Sequence, residues 1–295
     1  MRKLMVFFLL TVMSIYYCQA QQNDWSSVEK VFGKKGTVSN GVFKITFPRS
    51  DLKVTIDGFT VDPGLALTSW IGIVSADSHS MNVKGNSMAM GDIVMTDKEV
   101  AAVIQKLVSL NISVTAIHNH LIGESPTIKY LHFSGQGNAE KLAESLRTVL
   151  SLTGTPMGTP QNKAVADTPD WSKVETILGT TGKKNGKLLQ YAFPRNEKLT
   201  DNGMDMPPAI GMATSVNFQA DGQKAAITGD FVLLAKEVNP VIKALTDNNI
   251  AVTAIHNHML YDEPRLFMLH FWAVDNQEKL ATGIKAALDQ TNSKR

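Results

Sequence analysis

The hexapeptide Thr-Ala-Ile-His-Asn-His occurs twice in this chain of 295 residues, at 115–120 and again at 253–258. In both places a third histidine follows twelve residues after the second one, at His132 and His270. Six of the seven histidines therefore belong to one duplicated pattern, although the two halves have otherwise diverged. Because histidine is the commonest metal ligand and titrates near neutral pH, the pattern indicates where chemistry is located. It also constrains the fold, which has to build the same unit twice.

The duplication extends over most of the chain. Trp25 and the Phe-Pro-Arg motif at 47–49 recur 146 residues later, whereas Gly91-Asp92 and the histidines recur 138 residues later. The first copy carries an extra loop before Gly91, and His79 in this loop is expected to be solvated. The sequence predicts a first repeat at 24–152, a linker rich in Thr, Gly, Pro and Asn at 153–169, and a second repeat at 170–291.

Each repeat is expected to contain the same elements in the same order. The pattern predicts a short helix ending at Gly33 or Gly179, two strands, a helix, the histidine strand, a further strand and a last amphipathic helix. Such an order builds a mainly antiparallel sheet with helices packed on one face. The predicted fold class is therefore α+β, as a tandem repeat of two similar units. Whether the two sheets form one body or two domains is left open.

Two signals predict where the helix before the histidine strand begins. Thr96 and Glu99 form a capping box, which opens a helix that runs to about Leu110. Pro240 is the counterpart of Ala102 in the second repeat. We expect Pro240 in the first turn of the matching helix, because proline is tolerated there.

Residues 1–20 have the pattern of a secretory signal peptide. Arg2 and Lys3 precede an apolar run from Leu4 to Tyr17, which is shorter than the roughly 20 residues of a membrane span. Cys18-Gln19-Ala20 then provides small residues for cleavage after Ala20. We expect a periplasmic or secreted protein. The alternative is a lipoprotein anchored through Cys18, although Tyr17 stands where that signal has a small residue.

Composition limits the classes of partner. Cleavage after Ala20 removes the only cysteine, so the mature chain of about 275 residues has no disulfide. The formal net charge of +2 falls to zero without Arg2 and Lys3, which argues against a nucleic-acid partner. No other segment is apolar enough for a membrane span in the mature chain. A small molecule or a cell-envelope component remains as the expected partner.

The spacing of the histidines predicts a metal site. On a strand, residues i and i+2 point to the same face, so His118 and His120 lie about 6.5 Å apart on one side. If a turn near 123–125 closes a hairpin in which residue 118 pairs with residue 132, His132 and Tyr130 join that side. A register slip by one residue would send His132 to the other face. Three imidazoles with an open position are the ligand set of a catalytic zinc site.

The second repeat carries the same histidine spacing, with Met268 in place of Tyr130. Imidazole suits both zinc and copper, so a divalent ion of this kind is the expected cofactor. The candidate metal ligands are His118, His120, His132, His256, His258 and His270.

Carboxylates follow the hexapeptide in both copies. Glu124 in the first copy is the candidate catalytic residue, either as a ligand or as a general base, and Asp262 or Glu263 takes its place in the second. Two other readings stay open. The histidines could form a ligand or acid–base site without metal, or they could be core residues held by hydrogen bonds, as in Leu131-His132-Phe133.

Two further duplicated motifs have alternative readings. Arg49 and Arg195 could clamp a carboxylate or phosphate, or could form a structural ion pair with Asp51 or Glu197 or with a helix end. The Gly-Asp motif lies within strand-like stretches, where glycine often marks a bulge. Its aspartate could orient an imidazole, or could serve a turn or a sheet edge.

The run Thr115–Pro126, the segment Leu131-His132-Phe133, Gly91-Asp92 and the early Trp25-x2-Val28-Glu29 resemble the LppY/LpqO family of exported bacterial proteins. That family is built on a domain of unknown function (DUF1259-like), commonly present as a tandem pair. The resemblance covers nearly the whole mature chain, and His-Asn-His-x3-Glu-x-Pro is its most specific part. It implies an extracytoplasmic protein and carries no established activity.

The resulting hypothesis is an exported protein with a histidine-rich site for a divalent metal in the first repeat. If the protein is an enzyme, the expected activity is that of a metal-dependent hydrolase. The second copy departs from the family's run, since Gly123-Glu124-Ser125 becomes Tyr261-Asp262-Glu263. For that reason the site is expected in the first copy. The alternative is a non-catalytic protein that binds a cell-envelope component or small ligand and whose histidines are structural.

Overall fold

The computed structural model describes residues 24–75, 87–158, 169–222 and 224–295. The predicted signal peptide with Cys18, the loop histidine His79 and most of the predicted linker lie outside these ranges. Within them, no helix is long and apolar enough to cross a membrane.

Both repeats contain the predicted series of elements. In the first repeat these are α1 (Ser26–Phe32), β1 (Thr37–Ser39), β2 (Val42–Pro48), β3 (Val54–Ile56), β4 (Phe59–Val61), α2 (Pro63–Ala66), β5 (Thr68–Ser75), β6 (Ser87–Thr96), α3 (Asp97–Ser109), β7 (Ser113–His118), β8 (Ile128–Gly137) and α4 (Ala139–Leu150). In the second repeat they are α5 (Ser172–Leu178), β9 (Lys183–Asn185), β10 (Leu188–Pro194), β11 (Thr200–Asp201), β12 (Met204–Asp205), a 3-10 turn (Pro208–Ile210), β13 (Ala213–Asp221), β14 (Lys224–Leu234), α6 (Ala235–Asp247), β15 (Ala251–His256), β16 (Asp262–Glu263), β17 (Leu266–Asn276) and α7 (Gln277–Leu288).

Each repeat forms one large antiparallel sheet. The strand order is β1-β2-β5-β6-β8-β7 in the first and β15-β17-β14-β13-β10-β9 in the second. Helices α1, α3 and α4 cover one face of the first sheet, and α5, α6 and α7 cover one face of the second. The α+β tandem repeat predicted from the sequence is confirmed.

Local signals set the helix ends in both copies. Gly33 and Gly179 end α1 and α5 in the left-handed conformation, which glycine adopts at little cost. Glu99 accepts a hydrogen bond from the Thr96 N–H (2.7 Å) and closes the predicted capping box of α3.

The second repeat begins the matching helix in the same way, although the sequence signal is weaker there. Glu237 accepts a hydrogen bond from the Leu234 N–H (2.8 Å), so α6 begins at Ala235. The expectation that Pro240 lies in the first turn is therefore wrong, since it is the sixth residue of α6. Leucine at the cap position has no side-chain acceptor, so only the Glu237 half of a capping box forms and the sequence motif is absent.

The two sheets face each other through the surfaces that the helices leave free. One apolar cluster between them combines Met90 of the first repeat with Met204 and Met268 of the second. A second cluster combines Tyr130 of the first repeat with Leu188 of the second. The protein is therefore one body of four layers, in the order helices, sheet, sheet, helices.

The segments between β2 and β5 in the first repeat and between β10 and β13 in the second cross over to the other repeat. In the first repeat, α2 packs against β13 and β14, and in the second, the 3-10 turn packs against β2 and β5. This reciprocal exchange follows a pseudo-twofold axis that relates the two halves. Each repeat therefore packs one of its connecting segments against the sheet of the other repeat.

The Phe-Pro-Arg motif has a structural role in both copies. Arg49 is buried and forms ion pairs with Asp51 (2.8 Å) and Glu99 (2.9 Å), and it also donates to the Val94 carbonyl (2.8 Å). Arg195 makes the equivalent contacts with Glu197 and Glu237. Each arginine therefore ties the end of a long strand to the start of the helix that follows the Gly-Asp strand.

Candidate metal centre

The histidine strand and the strand after it form a hairpin in each repeat. The register pairs His118 with Tyr130 and Ala116 with His132, two residues away from the predicted pairing of 118 with 132. Because a shift of two residues keeps every side chain on its face, the predicted placement of the histidines on one side is correct. That side faces the other sheet.

The six histidines of the duplicated pattern meet in one cluster between the two sheets. The rings of His118 and His256, which are counterparts, stack with centroids 3.6 Å apart. Two further pairs join the repeats and are related to each other by the pseudo-twofold axis. They are His132 with His258 at 3.7 Å and His120 with His270 at 3.8 Å.

Two groups of ring nitrogens have the spacing of a metal-ligand set, with all ligand atoms of a group within 4.8 Å of one another. The first group is His118, His120 and His132, the triad predicted for the first repeat. The second group consists of His118, His256, His258 and His270 and so draws on both repeats. The two groups share His118. A buried cluster of this kind could hold a metal ion.

The ring nitrogens that face the middle of the cluster lack partners. Within the described part of the chain, the Nε2 atom of every histidine in the cluster is buried, and none has a hydrogen-bond partner except that of His258, which lies 3.1 Å from Asp230 Oδ2. His270 is held from behind, because its Nδ1 lies 2.7 Å from the Gly229 carbonyl. A carbonyl at Nδ1 fixes the tautomer in which Nε2 carries the free lone pair.

Burial favours the neutral form of five of the six imidazoles, and the neutral imidazole is the form that binds metal. Burial, with a further contribution from neighbouring histidines, lowers the pKa of His118 to about 2. The same causes lower the pKa of His120, His132 and His256 below the ordinary value for histidine. Burial also lowers the pKa of His270, against the opposing effect of Asp230.

The aspartates of the Gly-Asp motif lie beside the cluster. Asp92 is aligned with His132 and Asp230 with His270 in the strand register, and their carboxylates approach His120 (3.6 Å) and His258 (3.1 Å). Of the two alternatives for the Gly-Asp motif, the structure shows the first, with each aspartate next to an imidazole.

The environments of the two aspartates differ although their positions are equivalent. Burial and the nearby Asp230 raise the pKa of Asp92 well above its ordinary value. Burial acts to raise the pKa of Asp230 as well, but His270 and His258 lower it below the ordinary value. The two carboxyls therefore differ in how readily they lose a proton, Asp230 more readily than Asp92.

Glycine precedes each aspartate because another strand approaches it closely. A Cβ atom at Gly91 would lie 2.1 Å from the Trp70 carbonyl oxygen, and one at Gly229 would lie 2.0 Å from that of Ser215. Strand pairing is continuous at both glycines, so the suggested bulge is absent there, among the pairings described for these strands. The glycines allow the sheet to pack tightly behind the aspartates.

The bulge is found in the histidine strands instead, at Thr115 and Thr253. The Thr115 hydroxyl donates to the His258 carbonyl, and the Thr253 hydroxyl donates to the His120 carbonyl. A bulge redirects a side chain, and here it turns both threonines toward the other repeat. This contact gives a physical reason for keeping Thr as well as His in both copies of the hexapeptide.

Tyr130 marks a difference between the two sides of the cluster. Its ring stacks on His120 with centroids 3.5 Å apart, whereas the second repeat has Met268 at this position. The Tyr130 hydroxyl is buried without a partner among the described residues, and burial raises its pKa well above the ordinary value.

Glu124 lies in the turn of the hairpin. Its carboxylate accepts a hydrogen bond from the Ile128 N–H (3.0 Å), as that of its counterpart Asp262 does from the Leu266 N–H. Neither carboxylate, nor Glu263, belongs to the two groups of potential ligands found among the described residues. A catalytic role for Glu124 stays a prediction, and the observed contact is one that shapes the turn.

A cavity of about 250 Å³ reaches the cluster from one side. His120, His270, Asp92 and Asp230 form its inner wall. Its outer part is lined by Lys44, Trp70, Gln190, Asn217 and Thr228, among others. Sequence reasoning missed these outer residues, because they differ between the repeats and carry no motif.

A family model described as Domain of Unknown Function (DUF1259) matches residues 26–152 and 172–290. The chain belongs to this family. Each of the two DUF1259 segments contains one sheet and one half of the histidine cluster. No curated protein matches the chain.

Some solved structures share a distant likeness with this DUF1259 protein. They include the ligand-free regulatory subunit of aspartate kinase from Thermus thermophilus, with 12% identity, coverage of 70% of this chain and 93% of that chain, and a TM-score of 0.21. The trimeric microcompartment shell protein PduB has 11% identity, coverage of 87% and 89%, and a TM-score of 0.21. EtuB from Clostridium kluyveri has 9% identity, coverage of 86% and 90%, and a TM-score of 0.20. Scores this low carry no argument about fold or function.

Proposed function

We propose that this DUF1259 protein is an exported metalloprotein that binds a divalent transition-metal ion in its histidine cluster and hydrolyses a small substrate there. One observation carries the metal site: in the described residues, the Nε2 atoms of five of the six clustered histidines are buried and unpartnered, and that of His258 has only the Asp230 carboxylate beside it, at 3.1 Å. A buried polar atom without a partner costs about 1–3 kcal/mol, so a cluster of them is best explained by a ligand that satisfies several at once.

The donor set favours zinc or copper. All the candidate ligand atoms in the two groups are imidazole nitrogens, which suit both ions, whereas calcium and magnesium prefer oxygen. The depressed pKa of His118 keeps its ring available for binding at neutral and mildly acidic pH. A purely structural role for the histidines would instead leave these nitrogens hydrogen-bonded within the core.

The cavity favours catalysis over storage. A catalytic site keeps a position open to substrate, and the cavity ends at His120 and His270. A bound divalent ion would supply a water molecule of lowered pKa. Of the two carboxyls beside the cavity, Asp230 has the lowered pKa that suits a general base, and Asp92 has the raised pKa that suits a general acid.

Export rests on sequence alone. Residues 1–20 have the basic start, the apolar run and the cleavage pattern of a signal peptide. The resemblance to the LppY/LpqO family of exported proteins supports the same location, in the periplasm or outside the cell. N-terminal sequencing of the protein recovered from the cell envelope and the medium tests it, with Gln21 expected as the first residue.

Elemental analysis of the purified mature protein tests the metal site. We expect at least one equivalent of zinc or copper per chain, lost in the double variant His118→Ala/His120→Ala. His79→Ala is the matched control, because His79 is the one histidine outside the duplicated pattern. Wild-type protein that stays free of metal after reconstitution with zinc, copper, manganese and iron would reject the proposal and favour a metal-free binding protein.

Turnover then separates an enzyme from a metal carrier. Generic phosphoester, ester and amide substrates are offered to the metal-loaded protein and to Asp230→Asn. We expect the variant to keep its metal and to lose at least about tenfold in kcat/KM, as for loss of a general base. Metal-loaded wild type without activity on any of the three classes would leave a carrier and reject hydrolysis.

A further inference from the structure

We propose that the cavity beside the histidine cluster binds a small oxyanion of the carboxylate or phosphate class, with Lys44 as the residue that recognises its charge. The inference rests on the proposed function, since the inner wall of this cavity is the candidate metal centre. It adds the chemical class of the ligand and the residues that select it.

Lys44 lies on β2 and extends its ammonium group into the space between the sheets. Across the described residues, no carboxylate comes within ion-pair distance of it and no hydrogen bond to it is found; its ammonium instead lies 4.1 Å from the centre of the Trp70 ring. Burial lowers the pKa of Lys44 to about 8, partly offset by Asp92, so the group is mostly charged at neutral pH. An unpaired cation in a recess is a place for an anion.

Thr228 supplies a second free group in the same cavity. Its side chain is 2% exposed, and its hydroxyl has no partner among the residues that the structure describes. A buried hydroxyl is almost always hydrogen-bonded, so this one is available to a ligand. Asn217, which is aligned with Thr228 in the strand register, places an amide on the same wall.

The residues of the outer cavity are the ones in which the two repeats differ. Lys44 and Gln190 are counterparts, yet both line this single cavity, and Gln190 donates to the Gly64 carbonyl (3.2 Å). Thr228 has Met90 as its counterpart, which lies in an apolar cluster. The histidines and aspartates of the inner wall, in contrast, are the same in both repeats. The inner wall of the cavity is therefore the same in both repeats, whereas the residues proposed to bind the anion, Lys44 and Thr228, have no equivalent in the other repeat.

The charges favour an anion once the centre is loaded. A divalent ion and the Lys44 ammonium would bring three positive charges to the cavity, against at most two negative charges from Asp92 and Asp230. The loaded cavity is therefore positive even with both carboxylates ionised. Its volume of about 250 Å³ limits the ligand to a small molecule.

Calorimetric titration of the metal-loaded protein with inorganic phosphate, and separately with acetate, tests the inference. We expect Lys44→Met to keep its metal and to bind the preferred anion about 10- to 100-fold more weakly, as for loss of a charged hydrogen bond. Lys44→Arg, which keeps the charge, should stay within a few-fold of wild type. Lys98→Met is the control, because Lys98 is exposed on α3.

The comparison of phosphate with acetate decides between the phosphate and the carboxylate class, because the anion that binds with the higher affinity identifies the class of ligand. Equal affinity of wild type and Lys44→Met would overturn the inference, as would metal-loaded wild type that binds neither anion. Both of these results leave the metal centre intact. Failure of the wild-type protein to take up metal is a different result and overturns the proposed function instead.

Discussion

The hydroxyl of Thr115 lies 2.5 Å from the main-chain carbonyl oxygen of His258, in the other repeat. Thr253 makes the reciprocal contact with the His120 carbonyl at 2.6 Å. Each bond holds the loop that follows one histidine strand against the start of the other. The positions of His120 and His258 therefore depend on the partner repeat.

Replacing Thr115 with valine tests the strength of this link. Valine keeps the shape of the side chain but leaves the His258 carbonyl without its donor, which should lower the free energy of unfolding by about 1–3 kcal/mol. Urea unfolding measures the change, and metal content reports on the displacement of His258. Thr148→Val on the exposed side of α4 is the control, expected to stay within about 0.5 kcal/mol. An unfolding curve identical to wild type would refute the link.

His118 should matter more for metal binding than any other histidine of the cluster. It belongs to both candidate ligand groups, whereas His132 belongs to the first and His256 to the second. We expect His118→Ala to bind metal at least about tenfold more weakly than either His132→Ala or His256→Ala, since it removes a ligand from both groups. Competition with a chromogenic chelator measures the three affinities. Equal losses in all three would show that the groups are not alternative sites.

The metal-free protein should lose stability as the pH falls below about 6.5, the pKa of histidine in an unfolded chain. Burial lowers the folded-state pKa of His118, His120, His132, His256 and His270, so unfolding takes up protons in this range. Each such proton contributes a slope of about 1.4 kcal/mol per pH unit, and the effect continues toward the folded pKa, about 2 for His118.

Urea midpoints at pH 7, 6 and 5 measure this dependence. Asp92 acts in the opposite sense, because its raised pKa makes the folded state take up a proton, but it is one group against five. The double variant His118→Gln/His256→Gln, which removes two of the titrating groups, should show a shallower slope than wild type. A midpoint that is constant or rises between pH 7 and pH 5 contradicts the prediction.

Arg49 should be among the residues on which stability depends most. Replacement by methionine leaves Asp51 and Glu99 without their cation, at a cost of about 3 kcal/mol, the lower end for a buried ion pair because both carboxylates are partly exposed. Thermal and urea unfolding measure the change. Arg147→Met, at an exposed position on α4, is the control and should cost less than about 1 kcal/mol. Comparable losses in the two variants would mean that the ion pairs contribute little.

The sequence was sufficient to predict those features of the fold that depend on local interactions. Helix ends at Gly33 and Gly179 follow from one residue, and the side of the strand on which His118 and His132 lie follows from the period of a strand. The register of the hairpin was displaced by two residues, since His118 pairs with Tyr130 and encloses 119–129 rather than the predicted 119–131. A shift of two residues keeps every side chain on its face, so the predicted side was still correct. Pro240 was misplaced because Leu234 disguises the helix start.

The contact between the two histidine triads could not be predicted from the sequence, for a different reason. It depends on how two sheets pack, and sheet packing leaves no periodic mark within either repeat. The identical Thr115 and Thr253 were the available clue, since a metal site alone does not require threonine. Nothing in the sequence marks Lys44 or Thr228 as a site residue, because the cavity that they line forms only when the two sheets pack together.

The pseudo-twofold arrangement has a consequence for how such a site can change. If two separate copies of one repeat built the same centre, every substitution would appear on both walls of the cavity at once. Joining the copies in one chain removes that restraint, so an ammonium can stand opposite an amide while the clustered histidines between them stay matched. Covalent duplication thus allows a symmetric set of imidazoles to lie beneath walls that differ in charge.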